Sequence, residues 1–162
     1  MPDAAVVYFA APLFTMAERR WNAELAAAIK LRGFDVLLPQ DQAREHISQH
    51  GFNPKDLFDL SLRSIAAADA VVAILDGPDP DSGTCFECGV AWAAKKPIVA
   101  VRTDLRAGGD SDDAGQHEQE EKAVNLMLSE SAARIVKLSA LNDPPLEALA
   151  DRIASALTAV LP

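Results

Sequence analysis

The chain has 162 residues, 49% of them hydrophobic and 24% charged, with a formal net charge of −9. That length suits one domain that buries roughly two-thirds of its unfolded surface. The acidic balance argues against general affinity for nucleic acid or an anionic membrane, and no apolar run approaches the ~20 residues of a membrane-spanning helix.

The opening MPDAAVVYFAAPLF has Asp3 where a secretory leader would carry basic residues, and two cysteines make no secreted disulfide framework. A cytoplasmic protein with reduced thiols is expected. Val6–Ala10 is a short apolar, β-favouring run. Thr15 then offers its hydroxyl as an N-cap for a helix over Met16–Arg32, where Trp21, Leu25, Ala28, Ile29 and Leu31 recur near helical spacing, and Gly33 ends it. Phe34–Leu38 follows as a second strand, closed by Pro39. The segment PQDQAREHISQHGFNP has no sustained apolar period and reads as a long surface loop.

A helix over about Asp56–Ala68 carries Leu57, Leu60, Ile65 and Ala68 along one stripe. Ala70–Leu75 (AVVAIL) is apolar throughout, as a strand covered on both faces should be. After DSGTCFECG a small-residue helix runs to about Lys96, and Pro97–Val101 gives a fourth strand. RAGGDSDDAGQHEQEE is acidic and glycine-rich, a solvated excursion. A short helix over Lys122–Ser129, a strand at Arg134–Lys137 and an amphipathic helix over Pro145–Val160 complete the chain.

Strands alternating with helices imply right-handed βαβ units. The expected fold is α/β, a three-layer sandwich around a five-stranded parallel sheet of flavodoxin-like or Rossmann-like type. In such sheets ligands bind beyond the carboxyl ends of the strands, near the switch in strand order. The loops carrying APLF, PQDQ, DGPDPDSGT and the acidic excursion are therefore the candidate site.

Several constellations there compete. Cys85 and Cys88 form a Cys-x-x-C without a second pair, a poor zinc site, and two small side chains packing a helix explain them better. His46 and His50 would share a helix face only if their loop were helical, and no third metal ligand is evident. The Gly77/Gly83 loop lacks the Lys-Ser/Thr of a phosphate-binding loop and contains Asp76, Asp79 and Asp81, which repel phosphate. Glu87 falls in the first or second turn of the following helix, where the helix dipole favours an ionised carboxylate. It suits a nucleophile or base, although spacing alone favours an ordinary acidic residue near a helix start. Asp81 is expected at the loop rim, free to bind a hydroxyl.

Taken together, VYFAAPLF at 7–14, LPQDQ at 38–42, the D-x-G-T-x-F-E-x-G pattern of Asp81–Gly89 and NLML at 125–128 resemble the nucleoside 2-deoxyribosyltransferase family. The resemblance implies that Glu87 is the nucleophile that attacks C1′ of a 2′-deoxynucleoside, with Tyr8 hydrogen-bonded to it. It implies that Asp81 and Asn125 hold the sugar 5′-hydroxyl, Asn125 coming from a neighbouring subunit of a homo-oligomer with shared active sites. Phe14, Gln42 and Met127 match positions lining the base and sugar pocket, Phe14 and Met127 being equally readable as core. The partners would be a 2′-deoxynucleoside and a free nucleobase, with neither metal nor cofactor.

One position departs from the family. Where relatives often carry an aspartate or asparagine that contacts the leaving base, this chain has Ser61, and Asp59 points to another side of a regular helix. Asp69 sits at the wrong end of its strand for catalysis and is expected to be structural. Two rivals share the resemblance. A related branch hydrolyses nucleoside 5′-monophosphates and tends to place serine where this chain has Asp81, so Asp81 favours a free 5′-hydroxyl. A nucleotide-binding sensor on the same fold would keep the pocket and need no nucleophile.

Overall fold

The computed structural model describes residues 4–104 and 124–161. Five strands, β1 (Val6–Ala10), β2 (Asp35–Leu37), β3 (Ala70–Ile74), β4 (Ile98–Arg102) and β5 (Arg134–Lys137), form one parallel sheet in the order β2-β1-β3-β4-β5. Six helices accompany them: α1 (Met16–Lys30), α2 (Pro39–His50), α3 (Pro54–Ala67), α4 (Ser82–Ala93), α5 (Leu126–Ser131) and α6 (Leu146–Val160). This is the flavodoxin-like order, and it reverses direction between β1 and β3. Tyr8 sits at that seam, opposite Leu37 of β2 on one side and Val71 of β3 on the other.

Strand alternation divides the core. Val7 and Phe9 face one layer with α1 and α6, whereas Tyr8 and Ala10 face the other with Ile65 of α3 and Cys88 and Ala91 of α4. All five residues of β3 and all five of β4 are buried, as expected for parallel strands covered on both sides. Arg102 is the polar exception in β4.

The segment from Pro39 is the main departure from the sequence reading. It is not a loop but helix α2, with Pro39 at its first positions, Asp41 in its first turn and Gly51 ending it at φ 82°. The absence of an apolar period misled because α2 buries little: Gln40 is its one buried residue, and a solvent-facing helix needs no apolar stripe. Pro39 does end the strand, but it does so by starting a helix, its ring supplying the φ a helix needs and its missing N–H costing nothing there.

Other boundaries move by one to a few residues. Helix α3 starts at Pro54 behind an Asn53 cap, and α4 stops at Ala93, followed by Lys95 at φ 57°. Thr15 caps α1 through a capping box with Glu18, and Gly33 takes φ 91° beyond its end. Of the expected helix 122–129, residues 122 and 123 lie outside the described residues, as does the acidic excursion; α5 begins after Asn125 and reaches Ser131.

Candidate active site

Two side chains meet at the seam. Tyr8 projects from the middle of β1, fully buried, and its hydroxyl donates a 2.6 Å hydrogen bond to Glu87 Oε1. Glu87 reaches it from the second turn of α4, where Thr84, Cys88 and Ala91 form the buried stripe; Glu87 lies on the edge of that stripe at i+3 from Thr84 and i−4 from Ala91. The sequence thus places a carboxylate on the inward side of a helix above an all-apolar strand. Among the described residues Tyr8 is the hydrogen-bond donor recorded to it.

The electrostatics follow from burial. Desolvation pushes the Glu87 carboxyl from 4.5 to about 7; the Tyr8 hydrogen bond pulls against that rise, and the Asp81 carboxylate adds to it. The expectation that the α4 dipole would hold Glu87 ionised is therefore corrected: Glu87 sits past the first turn, where the dipole has faded, and loss of water outweighs it. Burial, then the charge of Glu87, drives the Tyr8 phenol well above its ordinary value, so it stays protonated as a donor. A half-ionised carboxyl gripped by a neutral phenol is suited to switching between nucleophile and acid near neutral pH.

Asp81 is not free at the loop rim. It is the N-cap of α4, its Oδ2 accepting from Thr84 N at 2.8 Å and Thr84 Oγ1 at 3.1 Å. Residues of this type at the start of a helix relieve unpaired N–H groups, and that local demand takes one of its oxygens. The cap also fixes the carboxylate near Glu87, as its influence on that residue shows.

The loop between β3 and α4 is braced by residues that motif reading passed over. Asp76 accepts from Thr103 N at 2.5 Å and Thr103 Oγ1 at 2.6 Å, while Asp104 Oδ2 accepts from Gly77 N at 2.5 Å and from Arg102 at 2.8 Å. Arg102, 2% exposed, also donates to Gly77 O at 3.2 Å. Two carboxylates and one guanidinium thus tie the end of β3 to the end of β4. The available signal was Arg102 itself, a charge in an otherwise apolar buried strand. Asn22, buried in α1, similarly holds the loop after β1 by donating to Pro12 O at 2.8 Å.

The remaining candidates are dispersed. Ser61 is half-buried on α3 and tends to lower the Tyr8 phenol, against the larger upward effect of burial and Glu87. Gln42 is half-buried on α2. Phe14 and Met127 are 76% and 77% exposed, so neither is core in this chain. Asn125 is exposed and caps α5, accepting from Met127 N at 2.9 Å. Among the described residues no hydrogen bond joins Phe14, Gln42, Asn125 or Met127 to the Tyr8–Glu87 pair.

The competing constellations resolve simply. Burial drives the Cys88 thiol up to about 12 and raises Cys85 as well, so neither has the thiolate character of a redox pair. His46 and His50 do share a helix face, their rings stacked with centroids 4.7 Å apart, but no group of three or more metal-binding side chains occurs among the described residues. Asp59 pairs with Lys55 one turn earlier, and Asp69 accepts from Val6 N at 2.8 Å, a structural bond at the start of β1. No described helix is long and apolar enough to cross a membrane.

A flavodoxin-like sheet with a phenol-bound carboxyl at its topological switch puts a candidate small-molecule site where open α/β sheets bind their ligands. The sequence model of the nucleoside 2-deoxyribosyltransferase family matches residues 7–127. The chain belongs to that family. Comparison with curated proteins returns no match. Among solved structures, a conserved protein from Enterococcus faecalis V583 is 30% identical over 94% of this chain and 98% of its own, with a TM-score of 0.70. The 2-desoxiribosyltransferase from Leishmania mexicana is 25% identical over 76% of this chain and 85% of its own, TM-score 0.57. The CMP N-glycosidase BcmB of Clostridium botulinum, 15% identical over 95% and 98%, shares the fold with a TM-score of 0.54.

Proposed function

We propose that the protein transfers 2-deoxyribose between nucleobases, with Glu87 as nucleophile. The carboxylate attacks C1′ as the C1′–N bond breaks and the base leaves with the bonding pair. A second base then attacks the glycosyl ester with a ring nitrogen, Glu87 leaves, and two inversions give retention. The observation that carries this reading is the Tyr8–Glu87 pair at the switch of the sheet. Burial makes the carboxylate a stronger nucleophile than a solvated one, and the neutral phenol orients it without neutralising it.

Asp81 takes the sugar 5′-hydroxyl with the oxygen its cap leaves over. Phe14, Gln42 and Met127 line the base and sugar pocket, and Asn125 completes a neighbour's site in a homo-oligomer. The exposure of Phe14, Asn125 and Met127 accords with surfaces that are finished by substrate or by a second subunit. No nucleic acid, membrane or cofactor enters this scheme.

The second reading is N-glycosidase chemistry, favoured by the fold shared with an enzyme of that name. The same glutamate would act, with water as acceptor. Asp81 argues against it where the substrate carries a 5′-phosphate, because two anions meet there. Incubation with a 2′-deoxynucleoside and a different free base, followed by chromatography, separates the two: new nucleoside supports transfer, whereas free sugar alone, or use of nucleotides in preference to nucleosides, contradicts it. Binding without either product points to a sensor.

A further inference from the structure

We propose that the groove between the ends of α4 and α6 is a second binding site, which takes a flat aromatic ring bearing a phosphate monoester, as in a nucleoside 5′-monophosphate. Trp92, Ala93, Lys95, Lys96, Pro97 and Val160 line a cavity of about 520 Å³ there. That volume falls within the roughly 300–1,000 Å³ usual for small-ligand sites. The groove opens where β4 begins, at the amino ends of the strands, whereas Asp81 and Glu87 enter α4 from the carboxyl end of β3. The inference stands apart from the transferase reading.

The turn that shapes the groove carries an unusual residue. Lys95 N donates to Trp92 O at 3.0 Å and Lys96 N to Ala91 O at 2.9 Å, closing α4 with a pair of bonds. In that pattern the residue after the cap is left-handed and ordinarily glycine. Here it is Lys95, at φ 57°. Beyond α1 and α2 the positive-φ positions are held by Gly33 and Gly51, so the chain uses glycine where only the turn matters. A side chain kept at such a position against its backbone preference points to a use for that side chain. At Lys95 the use on offer is an ammonium next to that of Lys96, on the wall of a cavity.

Charge and shape set the class of ligand. The protein carries a net −9, yet no acidic residue lines this cavity. Glu87 is the sole acid of α4 and is turned to Tyr8, and α6 has none after Asp151. Asp69, at the start of the neighbouring β3, accepts from Val6 N on the β1 side. Among the described residues no salt bridge neutralises Lys95 or Lys96. Two ammoniums match the charge of a phosphate monoester, about −2 near neutral pH. Trp92 is 64% exposed and offers an indole face on which a flat ring stacks, with Pro97 and Val160 as apolar neighbours. Phosphate alone would leave the indole uncovered, and a neutral nucleoside would leave the lysines unpaired. Ring and anion are therefore wanted on one molecule, and Asp81 and Glu87 repel that molecule from the other end of α4.

Titration calorimetry of the whole chain at low salt, with adenosine 5′-monophosphate, adenosine and inorganic phosphate as probes, tests this without any activity. The monophosphate should bind once per chain, and more weakly as salt is added. Lys95→Gly and Lys96→Gln should each weaken it by about fivefold or more, as loss of one exposed ion pair implies. Trp92→Ala should weaken it by about tenfold or more, as loss of a stacked ring implies. Adenosine and inorganic phosphate should each bind less tightly than the monophosphate by at least about tenfold. The chain has two tryptophans, so emission adds a second readout: the monophosphate should quench it in wild type and in Trp21→Phe, and the quench should vanish in Trp92→Ala.

No binding of the monophosphate overturns the proposal, and so does binding that all three variants leave unchanged, which would put the nucleotide in the pocket of Glu87. Inorganic phosphate binding as tightly as the nucleotide overturns it too, since the ring would then find no site. Glycine suits the turn at position 95, so Lys95→Gly should fold; should it not, Lys96→Gln and Trp92→Ala decide by the same criteria. Absence of base exchange in wild type would defeat the transferase reading and leave these titrations to decide the second site.

Discussion

Replacing Glu87 by glutamine should stabilise the protein above neutral pH, and the gain should depend on pH in a defined way. In the unfolded chain the Glu87 carboxyl ionises at its ordinary 4.5; in the fold, burial holds it to about 7. A raised carboxyl value means that the folded state binds the proton longer, so no penalty exists below 4.5, and stability is lost as pH climbs from there to about 7. The rise corresponds to about 3 kcal/mol when both states are fully ionised. Glutamine has the size of glutamate and can accept from Tyr8, but it does not ionise. Its advantage over wild type should therefore grow by about 2 kcal/mol between about pH 5.5 and about pH 8. Urea unfolding of both proteins at the two pH values measures this, with equal m-values as the control. A gain that stays flat with pH, or one that shrinks toward alkaline pH, would refute the burial argument for Glu87.

Tyr8→Phe removes the one bond that opposes the rise at Glu87. The acid limb of kcat/KM should then move upward by about 1–2 pH units, as loss of a charge-assisted bond implies, with kcat falling more than KM rises. Asp81→Asn keeps an N-cap for α4 but deletes the charge that raises Glu87, so the acid limb should move downward while KM for the nucleoside rises; an upward move would contradict the proximity of the two carboxylates. Arg102→Met takes the guanidinium away from the part-buried Asp104 beside Gly77, and urea unfolding should show a loss of about 3 kcal/mol, whereas a neutral effect would show that the brace carries no stability.

The sheet was legible because its strands are apolar and short and its helices periodic: AVVAIL and VVYFA admit little else, and their alternation with helices fixes a parallel order. Glu87 was legible as a position, since it lies one helical turn and more into the helix that follows the most apolar strand. Its ionisation was not, because the depth of a carboxyl depends on how α4 sits on β1 and β3, which spacing along the chain does not contain. Helix α2 escaped for a related reason. Its residues favour helix individually but bury almost nothing, so the amphipathic signal is absent, and Pro39 stands for a helix start as readily as for a strand end. The Asp76–Thr103 and Asp104–Gly77 bonds join residues 27 apart, and only the side-by-side pairing of β3 and β4 brings them together.

The central claim is that Glu87 forms a bond to C1′ of a deoxyribose. Acid quench of the protein mixed with a 2′-deoxynucleoside in the absence of acceptor base, followed by intact-mass analysis and peptide mapping, tests it directly. The account predicts one deoxyribosyl group on the peptide that contains Glu87, removed by added free base and missing in Glu87→Gln. Undiminished base exchange by Glu87→Gln, or an adduct mapping to any other residue, would contradict it.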